Sequence, residues 1–149
     1  MIEDLKPKKY IKQSSILLFV LALTQQSYCT STSCSYSFLV FLLGWAALFS
    51  TGAGLCWLAN PLLFVSWMLL NKNLKASLFL AMASFLFSMF FLMFDSIVDN
   101  ENNGHQVITA YKAGYWLWVA SNACMFFGTC VLMYRHNVRY KTITRPRHF

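Results

Sequence analysis

Charged residues are scarce in this chain, and over one long stretch they are absent. Residues 13–71 contain no Asp, Glu, Lys, Arg or His. Only 11% of the chain is charged, against about 25% in an ordinary soluble domain. A stretch of this length without charge excludes the exterior of a soluble domain, so we expect its solvent to be lipid.

Sequence motifs that carry catalysis or bind cofactors are also missing. The chain has no glycine-rich phosphate loop, no serine elbow and no zinc-binding helix. We therefore predict no enzyme activity, no cofactor and no metal site. Cys56, Cys124 and Cys130 are interpreted as small buried residues, because no histidine lies at membrane depth to join them as a metal ligand.

What the chain does contain is 58% apolar residues and a net charge of +7. The positive charges flank the apolar runs: at 6–12 before the first, at Lys72 and Lys75 between two later ones, and at 135–147 after the last. Charges beside membrane spans set orientation and contact anionic headgroups. We expect the lipid bilayer as a partner and no nucleic acid, because no basic face is interleaved with stacking aromatics.

These patterns predict a single all-α membrane domain over residues 1–149, a four-helix transmembrane bundle with a broken or extended second helix. The predicted spans are 14–28, 51–70, 76–94 and 114–134. An interfacial or extended helix is predicted at 38–50, and a basic cytoplasmic tail at 135–149. The first span is short and follows a basic lead, so a cleaved secretory signal is a second interpretation of it; we favour an uncleaved span.

Residues 38–70 are long enough to cross a bilayer twice, and the charges decide between one crossing and two. With four spans in total, every lysine and arginine except Lys112 lies inside, together with both termini. Five spans would put the basic lead and the basic tail on opposite sides. We therefore predict one crossing, a bend at Gly52, Gly54 or Pro61, and a location in the cell inner (plasma) membrane.

Two asparagines, Asn60 and Asn122, are predicted at similar depth on the second and fourth spans. Pro61 frees the carbonyl of Trp57, which an amide can satisfy. The hypothesis is a polar clamp near the membrane midplane, in which the two amides bond to each other or share that carbonyl. A role in holding helices together is favoured over a ligand contact.

Cys29 and Cys34 lie in a polar segment predicted to face outward. A small disulfide, two free thiols and a redox pair are the alternatives. The spacing is not Cys-x-x-Cys, so a structural disulfide or free thiols are favoured over redox chemistry.

Small residues recur at helical spacing on three stretches and predict close helix packing. The three sets are Gly44, Ala47, Thr51 and Gly54; Ser77, Ala81, Ser84 and Ser88; and Ala120, Cys124 and Gly128.

The segments Trp-Leu-Ala-Asn-Pro-Leu at 57–62, Leu-Gly-Trp at 43–45 and Gly-Tyr-Trp-Leu-Trp at 114–118 followed by Ser121 resemble a pattern in uncharacterised small bacterial multi-span membrane proteins. The resemblance covers residues 38–128. It implies a bacterial inner membrane and carries no activity.

The leading interpretation is therefore a small multi-pass membrane protein that self-associates or binds a membrane partner. A small transporter or channel-like protein using the broken second span is one alternative. A membrane thiol oxidoreductase acting through Cys29 and Cys34 is the other.

Overall fold

The computed structural model of this chain describes residues 5–31, 33–49, 52–99 and 104–144. These residues are mostly helical. The α-helices are α1 (Leu5–Leu23), α2 (Ser37–Leu43), α3 (Ala59–Leu69), α4 (Leu74–Phe90) and α5 (Ala113–Thr144). Short 3-10 helices cover Gly44–Phe49, Ala53–Leu58 and Phe91–Met93. The strands are β1 (Gln26–Thr30), β2 (Cys34–Tyr36), β3 (Ser96–Asp99) and β4 (Gly104–Tyr111).

Helices α1, α3, α4 and α5 form an antiparallel bundle joined by serine pairs. Between α1 and α5, the Ser15 and Ser121 hydroxyls each donate to the other residue's carbonyl, at 3.0 and 2.7 Å. Ser66 of α3 and Ser77 of α4 make the same exchange at 2.9 Å. The buried face of α4 consists of Ser77, Ala81, Ser84 and Ser88, which confirms the packing role predicted for that stripe.

One end of the bundle carries a four-stranded antiparallel sheet of order β2-β1-β4-β3. The prediction of an all-α chain was wrong on this point, since it treated these residues as loops. Strand β1 follows α1 and strand β4 precedes α5, and the packing of α1 on α5 brings the two strands side by side. We call this the sheet end.

The opposite end is basic. It contains the start of α1, the turn between α3 and α4, and the last part of α5. Asn73 is the N-cap of α4 at this end, and its Oδ1 accepts a hydrogen bond from the Ala76 amide at 3.1 Å. The cations on these segments include Lys6, Lys8, Lys9, Lys12, Lys72, Lys75, Arg135 and Arg139. We call this the basic end.

Two helical stretches of the described chain are long and apolar enough to cross a membrane, Leu74–Met93 and Ala113–Arg139. Ser37–Leu48 and Ala53–Leu69 are apolar but shorter. Helix α1 ends at Leu23, before the predicted boundary at 28, because residues 26–30 form β1. Helix α5 continues to Thr144, well into the predicted tail.

The chain between Ser37 and Leu69 is a broken helix. The 3-10 helices Gly44–Phe49 and Ala53–Leu58 pack side by side, with Gly54 against the backbone of Ala47 and Gly44 against the ring of Trp57. Gly54, one of the predicted bend positions, therefore lies in this contact region. Thr51, which was predicted to pack with Gly44, Ala47 and Gly54, falls outside the described residues. Pro61 lies in the first turn of α3, where its missing N–H is tolerated, and the 3-10 helix Ala53–Leu58 directly precedes this helix.

Candidate functional site

A cavity of about 170 Å³ lies between the helices just beneath the sheet. Its walls come from the end of α1, from α2, from the two packed 3-10 helices and from the start of α5, with β1 above. Seven of the lining side chains are aromatic: Phe19, Tyr28, Phe41, Trp57, Phe91, Tyr115 and Trp118. No Asp, Glu, Lys, Arg or His is among the lining residues, so the site suits an uncharged molecule.

The cavity also holds a buried hydroxyl without a partner. Ser37 is only 9% exposed, and its Oγ makes no hydrogen bond with any residue that the structure describes. Ser37 begins α2 directly after β2, and its backbone N–H donates to the Gln25 carbonyl at 3.0 Å. Its position is therefore fixed by the backbone while its side chain stays unsatisfied, which costs free energy unless another polar atom arrives.

Asn60 is the second polar group of the wall. Trp118 Nε1 donates to Asn60 Oδ1 at 2.9 Å, which sets the orientation of the amide. The Asn60 Nδ2 donor has no hydrogen-bond partner among the described residues. Asn60 is 5% exposed, so this donor also lies in the protein interior.

Two close backbone approaches shape the cavity. A Cβ on Gly114 would meet the Ser37 hydroxyl and the Gln26 carbonyl, and a Cβ on Gly54 would meet the backbone of Ala47. Glycine is needed at both positions because no side chain fits there. Trp57 is held on the same wall by a 2.8 Å hydrogen bond from its Nε1 to the Phe41 carbonyl.

The structure links the two predicted asparagines through Trp118. Asn122 Nδ2 donates to the Trp118 carbonyl at 2.8 Å, while the indole of Trp118 bonds Asn60. Ser84 closes the network: its hydroxyl contacts Asn122 Oδ1 and donates to the Ala59 carbonyl at 2.6 Å. Asn60 and Asn122 thus belong to one connected set of contacts, and neither uses the Trp57 carbonyl.

Sequence analysis missed the role of Trp118 in this network, and it predicted Ser84 only as a small residue on the packing face of α4. In the sequence, Trp118 was noted only as the last residue of the Gly-Tyr-Trp-Leu-Trp segment at 114–118. The spacing of four between Trp118 and Asn122 was the available signal, since it places both on one helix face. Of Trp116 and Trp118, only Trp116 is strongly exposed, with 51% of its surface accessible.

Cys29 and Cys34 are joined by a disulfide that closes the β1–β2 hairpin, where they stand opposite each other in the register. Cys56, Cys124 and Cys130 are free thiols. Within the described ranges, no group of three metal-ligating side chains occurs. In β4, burial and then the nearby Asp95 carboxylate raise the pKa of Tyr111 above its ordinary value.

No protein-family model matches the chain, and no match to it is found among curated proteins or solved structures. The resemblance to small bacterial membrane proteins stays a prediction.

Proposed function

We propose that this chain is a four-span integral membrane protein that acts as a structural or interaction component and has no chemistry of its own. Its spans are α1, the unit Ala53–Leu69, α4 and α5. The antiparallel serine pairs support this arrangement, because they join α1 to α5 and α3 to α4. Trp67 Nε1 of α3 also donates to Ser15 Oγ of α1 at 3.0 Å, which connects the two pairs of helices. The segment Ser37–Leu48 adds no crossing, since it packs back against Ala53–Leu58 near the sheet.

The observation that carries the proposal is the separation of charge along the bundle. The cations of the basic end lie on one side of an apolar layer, and the sheet end bears Lys112 and Asp95 on the other. Large apolar side chains on the helix surfaces between them are exposed. They include Leu17, Val20, Met68, Phe79, Leu86, Phe127 and Val131. An exposed apolar belt between a basic and a less basic end is typical of proteins embedded in lipid.

The hydrogen bonds made by the buried polar side chains agree with a structural or interaction role. Ser15, Ser66, Ser77, Ser84, Ser121 and Asn122 all bond across helices, so these side chains hold the bundle together. In lipid such bonds contribute roughly 0.6–2 kcal/mol each. The partner on the outer surface is a second copy of the chain or another membrane protein.

The two alternatives have less support. A transport path would have to continue below the cavity, where Phe19, Leu63 and Met125 belong to the packed core. Thiol oxidoreduction through Cys29 and Cys34 would need a partner thiol to exchange with their disulfide.

The test uses the tagged full chain in native membranes. We expect it to stay with the membrane pellet after alkaline carbonate extraction. A short-arm cross-linker should shift the 17.2 kDa band to a discrete larger product. Release by carbonate would overturn the membrane assignment, whereas an unshifted band in intact membranes would overturn the interaction role.

A further inference from the structure

We propose that a cleft at the basic end binds the phosphate of an anionic phospholipid, and that Lys8 and Arg135 are its main cationic contacts. The inference rests on the membrane location proposed above and goes beyond it, because it assigns a defined site to a lipid. It is carried by four basic side chains from two helices that converge on one small cleft, and by the apolar surface that continues from this cleft along α5.

Close packing of α1 on α5 forms the cleft. A Cβ on Gly128 would meet the Ile11 side chain, so the lack of a side chain at Gly128 lets the two helices approach each other. Toward the basic end, Lys8 lies one turn beyond Ile11 and Arg135 lies two turns beyond Gly128. Both residues therefore line the same space, which Leu74 of α4 bounds on a third side.

The cleft gathers positive charge that the described part of the chain does not neutralise. Lys8, Arg135 and His136 make no hydrogen bond or ion pair with any residue that the structure describes. Arg139 also lines the cleft, and no Asp or Glu among the described residues does. Like charges gathered in one place repel each other, and an anion between them offsets this repulsion. Phosphate suits these side chains, since arginine binds it in a bidentate manner and lysine contacts it as a point charge.

The size of the cleft and the surface beside it favour a lipid as the source of this phosphate. The cleft has a volume of about 70 Å³, far below the roughly 300 Å³ of the smallest pockets for drug-sized ligands. It therefore admits one small group and leaves the rest of the ligand outside. Val131 and Phe127 precede Arg135 by one and two turns on the same face of α5, and they are 51% and 56% exposed. An acyl chain attached to a phosphate in the cleft would lie along this apolar stripe, as expected for a basic pocket between membrane helices.

The test uses the purified full chain in a mild uncharged detergent at about 0.15 M salt, where the Debye length is about 8 Å. Dioleoylphosphatidylglycerol, dioleoylphosphatidylcholine and glycerol phosphate are each titrated, and the concentration dependence of the melting temperature gives an apparent affinity. We expect saturable stabilisation by phosphatidylglycerol. Phosphatidylcholine has the same acyl chains without net charge, and glycerol phosphate has the anion without the chains. Both should bind at least about 10-fold more weakly, the value of one charge-assisted hydrogen bond.

Matched variants separate a defined cleft from diffuse attraction at the basic end. Lys8→Gln removes one charge from the cleft and should weaken the binding of phosphatidylglycerol about 10-fold, as should Arg135→Gln. Lys72→Gln removes one charge from the same end but outside the cleft, so the loss should stay below about 3-fold. Without lipid, all three variants should melt near the parent chain, because these side chains make no hydrogen bond or ion pair within the described ranges.

Equal stabilisation by the two lipids overturns the proposal, and so do equal losses for Lys8→Gln and Lys72→Gln, because either result describes diffuse attraction without a site. Glycerol phosphate that binds as tightly as phosphatidylglycerol overturns the lipid as ligand and indicates a free phosphate compound. Carbonate extraction distinguishes this failure from that of the proposed function. A chain that resists carbonate yet shows no preference for the anionic lipid contradicts the cleft alone, whereas a chain released by carbonate contradicts the membrane location itself.

Discussion

Serine hydroxyls join the helices of this bundle in reciprocal pairs. In each pair a hydroxyl bonds the carbonyl opposite, so two backbones approach closely at a position where a larger side chain would separate them. Asn122 and Trp118 extend this pattern with longer side chains. At the scale of single residues, the stability of the bundle therefore depends on a few buried donors with defined acceptors.

Trp118→Phe tests the indole donor of this network. We expect the variant to lose about 1–3 kcal/mol of unfolding free energy, because the buried Asn60 Oδ1 loses its hydrogen bond. Trp116→Phe is the matched control on the exposed side of α5 and should lie near the parent chain. Thermal or denaturant unfolding in detergent measures both.

A double-mutant cycle then tests the link to Asn60. Asn60→Ala should cost less in the Trp118→Phe background than in the parent chain, since the shared bond is already gone. Strictly additive losses, or equal effects of Trp118→Phe and Trp116→Phe, would contradict the network.

The broken helix between Ser37 and Leu69 was predicted only in part from the sequence. The glycines and Pro61 marked an interruption, and the charge count indicated one crossing. The side-by-side packing of two 3-10 helices was not visible in the pattern. It depends on Gly54 meeting the backbone of Ala47 and on Trp57 bonding the Phe41 carbonyl, and both are tertiary contacts.

Gly54→Ala tests this element. We expect a loss of about 1–3 kcal/mol of unfolding free energy, because the new Cβ would press on the Ala47 backbone, which has little freedom to move. Gly52→Ala is the control: its new Cβ would lie 3.0 Å from the Phe94 ring, a side chain that can shift. Unfolding of the two variants in the same detergent gives the comparison, and equal losses would show that the close packing at Gly54 is unimportant.

The sheet was missed for a different reason. Strand β1 contains Gln, Ser and Thr, and its partner β4 lies some eighty residues further along the chain. Neither strand alone gives a strong local signal, although residues 104–111 include Val, Ile and Thr, which favour strands. Pairing arises because α1 and α5 pack together and bring the ends of their helices, and hence the adjoining strands, to one place.

For the whole molecule, the distribution of positive charge predicts the orientation. Alkaline phosphatase is active only outside the cytoplasm, so it reports which side a fusion point faces. A fusion after residue 103, in the segment of the sequence between β3 and β4, should be active. Fusions after Lys75 and after Thr144, at the basic end, should be inactive, because basic segments are retained inside.

The control is alkaline phosphatase fused to a membrane protein at a position known to face the cytoplasm. An active fusion after Lys75 would contradict four spans, whereas inactivity at all three points would contradict an outward-facing sheet.

The sequence by itself determined the apolar character of the helices, the grouping of charges at their ends and the buried serine stripe of α4. These properties are local, since hydrophobicity, charge and helical period are read within one segment. Only the tertiary structure decided the four-stranded sheet, the packing of the broken helix, the role of Trp118 and the cavity with its unpartnered Ser37. Each of these requires residues far apart in the chain to meet, and their meeting depends on the shape of the packed bundle.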